Sequence, residues 1–153
     1  MRRVGVLAAT SVLCLSSLAA AGPAQANLGT CYYYGGVEPE PNAYNRWTVY
    51  ENTIYSNWFW GEVNLGLRVG TLNNRQVAWA RLTGPAQKSN DAVWLDISED
   101  GGQSWEQCGP VWNGDGSRNL WTSAIPTRSD PNFRFRACGQ AARGGGIRCG
   151  SWW

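Results

Sequence analysis

The chain has 153 residues, thirteen basic against eleven acidic side chains, no histidine and ten tryptophans. The missing histidine excludes Ser-His-Asp and Cys-His catalysis and the histidine-dependent metallohydrolases. The near balance of charge excludes a strongly basic nucleic-acid binder.

Residues 1–26, MRRVGVLAATSVLCLSSLAAAGPAQA, begin with Arg2 and Arg3, continue through the apolar stretch Val4–Ala21, and end on Ala24-Gln25-Ala26. A charged start, a short apolar core and a small-x-small site are the parts of a cleaved secretory signal peptide. The product is therefore expected to be secreted. No second apolar run of spanning length follows, so no membrane insertion is expected. Removing 26 of 153 residues leaves 127, enough for one domain, expected as a monomer. Arg2 and Arg3 leave with the signal, so eleven basic groups then face eleven acidic ones.

Residues 27–45 read as an irregular N-terminal segment, and 46–153 as one all-β domain. No stretch carries a 3.6-residue apolar period. Short runs of Val, Trp, Tyr, Phe and Thr alternate with Gly, Asn, Ser and Pro, which is the pattern of strands and turns. Strands are expected at Arg46–Tyr50, Glu62–Val69, Gln76–Leu82, Ala92–Ser98, Ser104–Cys108, Leu120–Ala124, Phe133–Cys138 and Ile147–Trp152. TLNNR, TGPAQKSND, EDGGQ, WNGDGSR, PTRSDPN and Gly144–Gly146 supply the turns. In Ala92–Ser98, Val93, Leu95 and Ile97 share one face. In Phe133–Cys138, Phe133, Phe135 and Ala137 share a face opposite Arg134 and Arg136. Strands with one apolar face each suit a β-sandwich.

Four cysteines remain after the signal: Cys31, Cys108, Cys138 and Cys149. An even number in an exported chain implies two disulfides. Cys138 and Cys149 bracket a hairpin-like loop and are natural partners, which leaves Cys31 for Cys108. Without histidine or a CxxC pair, a zinc site is not expected.

The stretch SEDGGQSW resembles the Asp-box hairpin of sialidase propellers. A propeller needs several copies, and this chain has one clean copy, so the resemblance implies a hairpin and no propeller. Ser98, Asp100, Gly102 and Trp105 are then structural: Asp100 accepts from turn amides, the glycines supply positive φ, and Trp105 folds beneath the turn. The stretch NGDGS offers Asn113, Asp115 and Ser117 like the start of a calcium loop. Ala124 stands where the bidentate Glu belongs, so a turn is expected there.

The strand layout resembles an immunoglobulin/fibronectin type III-like β-sandwich, with Gln76–Leu82 as strand B, Ala92–Ser98 as C and FRFRACG as F. Phe133 or Phe135 stands where that family has a corner tyrosine, so its hydroxyl hydrogen bond is not expected. In such a layout Trp94 would interleave with Arg134 and Arg136 as a cation–π ladder.

The tryptophans have a second use. Trp79 and Trp105 are expected in the core, whereas Trp58, Trp60, Trp94, Trp112, Trp152 and Trp153 point outward or lie in loops. Exposed indoles offer flat faces to sugar rings. Trp58, Trp60, Trp152 and Trp153 are the candidate ligand-binding residues. The segments LRVGT, VAWARLTG, DAVWLDISEDGGQSWEQCGP, FRFRACG and IRCGSWW together resemble a group of small secreted actinobacterial proteins. Related WLDxSxDGGxxW…RACG modules occur beside glycoside hydrolase domains, which implies carbohydrate binding.

The expected function is a secreted, non-catalytic binding module for polysaccharide or cell-wall glycan, with no catalytic residues, no metal and no cofactor. The alternative is an extracellular protein-interaction or inhibitor protein, using the loop TGPAQKSND around Lys88. A third class is a small glycoside hydrolase built on two carboxylates. Its raw material is Glu51, Glu62, Asp91, Asp96, Glu99, Asp100, Glu106 and Asp115.

Overall fold

Alternating apolar and polar residues resolve into nine strands in a computed structural model that describes Cys31, Pro39 and residues 42–153 except Asp115, Ser117 and Arg118. Residues 1–26, expected as a signal peptide, and most of the segment 27–45 lie outside the described residues. The strands are β1 (Tyr44–Asn57), β2 (Gly61–Leu72), β3 (Arg75–Thr83), β4 (Ala92–Ser98), β5 (Glu106–Trp112), β6 (Asn119–Trp121), β7 (Ile125–Pro126), β8 (Arg134–Ala141) and β9 (Gly146–Cys149).

Two antiparallel sheets form. One has the order β1-β2-β3-β6, with β7 also on β3; the other has the order β5-β4-β8-β9. Between them lies one apolar cluster. Val63, Leu65, Leu67 and Val69 of β2 and Ala78, Ala80 and Leu82 of β3 meet Val93, Leu95 and Ile97 of β4 and Phe135 and Ala137 of β8. The alternation in β4 and β8 thus marks the face that meets the first sheet, but β4 has no solvent face: Trp94, Asp96 and Ser98 on its other side are buried too. Asn73 and Asn74 both take positive φ in the two-residue β2–β3 turn, as hairpins of that length require. Both disulfides are the expected ones, Cys31–Cys108 and Cys138–Cys149. Such bridges fit an oxidising, extracellular setting.

Several boundaries differ from the sequence reading. β1 is far longer than Arg46–Tyr50, because a polar edge strand shows no alternation to read. β5 starts at Glu106 and runs through Pro110 to Trp112, past the expected end at Cys108. An edge strand with a register shift tolerates proline, and β5 is both. The expected strand Leu120–Ala124 divides into β6 and β7, and β9 ends at Cys149.

β1 bends across the side of the sandwich. Its pairing with β2 shifts register three times, and such bulges add twist. The bend delivers Tyr50 to the other sheet, where the Ala137 N–H of β8 donates to the tyrosine hydroxyl at 2.8 Å. The C-terminal tail leaves room for it. Cys138 pairs with Cys149, and Phe135 exchanges backbone hydrogen bonds with Trp153, one residue out of that register. Gly150 sits against the Tyr50 ring, where a Cβ would clash. Burial pushes the Tyr50 phenol up to about 12. Tyr50→Phe is expected to strand the Ala137 N–H and cost about 1–3 kcal/mol in denaturant unfolding. A variant as stable as wild type would show that the bond contributes nothing.

Candidate functional site

Aromatic side chains gather at the two ends of the sandwich, about 20 Å apart along β4 at the usual rise per residue.

At the first end the sequence NWFWG forms the β1–β2 tip. The Asn57 side chain accepts from the N–H groups of Phe59 (2.9 Å) and Trp60 (3.2 Å), an Asx turn that fixes the loop backbone. Gly61 closes it at φ +84°, and a Cβ there would lie 2.6 Å from the Pro85 ring. Two neighbouring segments buttress the tip. The Ala86 N–H donates to the Glu62 carbonyl, and Arg143 Nε donates to the Ala86 carbonyl at 3.1 Å. The Arg143 guanidinium lies 4.1 Å over the Trp60 ring. The buried Asp91 carboxylate accepts from the Lys88 N–H (2.8 Å) and the Ala142 N–H (2.7 Å), tying the β3–β4 loop to the β8–β9 hairpin.

On this support three rings stand in solvent: Trp58 is 94 % exposed, Phe59 65 % and Trp60 48 %. They meet edge to face. Trp58 and Phe59 are 5.7 Å apart at 72°, and Phe59 and Trp60 are 4.8 Å apart at 85°. Contiguous exposed apolar surface of this kind marks a contact site.

The second end is built on the Ser98–Ser104 turn. Asp100 accepts from the N–H groups of Gln103 and Ser104 and from the hydroxyls of Ser98 and Ser104, at 2.6–2.9 Å. The Ser104 hydroxyl and N–H, then the Ser98 hydroxyl, hold this carboxyl well below the usual range. The Gly102 N–H donates to Ser98 Oγ at 2.7 Å. The indole against the turn is that of Trp152, 2.8 Å from where a Gly102 Cβ would stand. Trp105 is therefore neither beneath the turn nor in the core; it is 39 % exposed and lies on Arg136.

Asp100→Ala is expected to lower Tm by several degrees at neutral pH. A depressed carboxyl stabilises the fold above the ordinary carboxylate range and stops doing so as pH falls well below it. The deficit should therefore shrink in strong acid. A deficit that holds constant down to strong acid would contradict the assignment.

The ladder also differs from the expected one. By register Arg136 stands opposite Asp96, and Trp94 opposite Cys138. The carboxylate therefore takes the guanidinium, with Arg136 Nε donating to Asp96 Oδ2 at 3.1 Å and a second bond from the terminal nitrogen. The indoles near that guanidinium are Trp152 at 4.3 Å and Trp105 at 4.8 Å. Trp94 is buried with Ala92 and the disulfide sulfur's residue, Cys138. Asp96 Oδ2 also lies 3.2 Å from the Cys138 sulfur, which carries no proton in the disulfide, so this is a contact and no hydrogen bond. Burial raises the Asp96 carboxyl above its ordinary value, with Arg136 opposing.

The four candidate ligand-binding tryptophans are thus divided. Trp58 and Trp60 share the tip; Trp152 is occupied by Arg136; Trp153 sits 6.4 Å from Phe135. They form no single row. Phe59 and Arg143 were missed. The Asn-x-x-x-Gly spacing around a three-residue loop is the signal that locates Phe59, but nothing local announces Arg143. Trp79 is fully buried as expected, in a second cluster with Ala43, Leu72, Val77 and Ala124.

Four candidate carboxylates have structural partners: Asp91, Asp96 and Asp100 as above, and Glu99 with Arg128. Among the described residues the one close group of possible metal ligands is Asp96, Cys138 and Cys149, and both its cysteines are in a disulfide. Asp115 and Ser117, on which the calcium-loop reading rests, lie outside the described residues.

The architecture and the site define a disulfide-stapled, all-β domain that presents a braced aromatic hairpin. No protein-family model, curated protein or solved structure matches the chain.

Proposed function

We propose that the protein is a secreted, non-catalytic binding module that contacts polysaccharide or cell-wall glycan through the Trp58–Phe59–Trp60 tip. The observation that carries this is Trp58: an indole 94 % exposed on a loop whose backbone is hydrogen-bonded in place. An indole held out on a fixed backbone stacks on a pyranose at a small ordering cost. The structural duties of Asp91, Asp96, Glu99 and Asp100 support the non-catalytic reading. The resemblance to modules found beside glycoside hydrolases points the same way.

The fold proposed for this module is fibronectin type III-like. The order β5-β4-β8-β9 against β2-β3-β6 supports it, with β3 as strand B, β4 as C and β8 as F; β1 is an addition at the edge of β2.

Pull-down on insoluble cellulose, chitin and peptidoglycan, followed by intrinsic tryptophan fluorescence, tests the reading. Retention that Trp58→Ala weakens by about tenfold or more supports it. Absence of retention on all three would put a protein partner first. One observation already favours that second reading: three rings set edge to face make a wedge that fills a pocket.

A further inference from the structure

The form of the ligand follows from the ring planes at the tip, and this step rests on the glycan reading above. We infer that the ligand is a free glycan chain, soluble or amorphous, that lays one sugar on Trp58, and not a crystalline polysaccharide face.

A crystalline face presents parallel chains in one plane. Holding it takes several indoles whose faces are coplanar. The tip cannot supply them, because its successive rings are turned 72° and 85° from each other. The backbone that carries these rings is held by the Asn57 side chain, which accepts from the Phe59 and Trp60 N–H groups, and the edge-to-face contacts hold the rings at those angles. Rotating Trp60 flat would also break the Arg143 stack, which covers one face of that ring. Trp58 alone has an indole of this exposure.

The other exposed indoles do not extend the plane. Trp47 is on β1, ten residues before Asn57. Trp105 and Trp152 lie at the opposite end, against Arg136. Trp153 is beside Phe135 at that same end. Trp112 belongs to β5, the far edge of the second sheet. β1 passes instead beside β9, where Gly150 meets Tyr50 and Gly145 approaches the Ile54 carbonyl. One flat ring therefore makes one stacking position, and the chain must be able to wrap or end at a projecting tip. Separated chains can do this and packed chains cannot.

Matched substrates of one chemistry and two packings test the inference. Wild type and Trp58→Ala would be assayed on microcrystalline and acid-swollen cellulose, on crystalline and colloidal chitin, and on peptidoglycan. Trp58 is so exposed that its removal should leave the melting temperature unchanged, and a thermal melt of each variant checks this. The expected result is retention on at least one non-crystalline substrate, reduced about tenfold or more by Trp58→Ala, with no retention on the crystalline forms. Equal retention on a crystalline form and its swollen counterpart would overturn this inference and leave the glycan reading standing. No retention on any substrate would overturn both.

Discussion

Replacing Arg136 with alanine is expected to destabilise the domain by about 3–5 kcal/mol, because it leaves the Asp96 carboxylate buried without its partner. Asp96 is 2 % exposed and Arg136 18 %, so solvent does little to screen the loss. The variant also empties the space between Trp105 and Trp152. The pH dependence separates charge from packing. Arg136 is what lowers the Asp96 carboxyl against burial, so its removal raises that group further. A carboxyl raised in the folded state favours folding at low pH, and that contribution is lost as pH climbs from the ordinary carboxylate value through the raised one. The cost of Arg136→Ala should therefore be larger at pH 7 than at pH 4. Urea unfolding at both values checks this, and equal costs would assign the effect to packing alone. The double variant Asp96→Asn/Arg136→Met should recover much of the loss, since it leaves no buried charge.

Removing the Cys31–Cys108 bridge with a pair of alanines should cost about 4–5 kcal/mol in the chain-entropy model, against about 3 for Cys138–Cys149. The difference comes from the loops closed, 77 residues in sequence for the first and 11 for the second. The first bridge fastens Cys31, ahead of β1, to β5 of the second sheet. Guanidinium unfolding of each double variant gives the comparison. A smaller loss for the Cys31–Cys108 pair would mean that structure in the unfolded chain, or contacts around Cys138, outweighs loop closure.

The sequence was most legible where physics is local. Alternation in β4 and β8 identified the residues that meet the first sheet, because each strand keeps one apolar face on the core. The cysteine pairing followed from a short hairpin loop. Trp58 and Trp60 stand out as exposed because the chain around them is loop-like or alternates outward. Alternation could not say which indole from another segment lands on Arg136. That depends on the tail's one-residue slip, on Gly150, and on Tyr50, whose partner Ala137 is 87 residues away. The same distance hid the Tyr50 hydroxyl hydrogen bond, which no local pattern announces. Trp94 faces away from the main core as read, yet it is buried, packed with Ala92 and Cys138 and close to Gly109.

The proposed ligand contact is at one end of the sandwich, and the Trp152–Arg136–Trp105 stack is at the other. Both ends expose tryptophan, so the direct test exchanges them in one assay. Trp58→Ala and Trp152→Ala would be compared with wild type for retention on colloidal chitin, swollen cellulose and peptidoglycan, with a thermal melt of each. The account predicts that Trp58→Ala loses retention at unchanged Tm, while Trp152→Ala lowers Tm and the folded protein is retained like wild type. Loss of retention on Trp152→Ala with Trp58→Ala unaffected would contradict it.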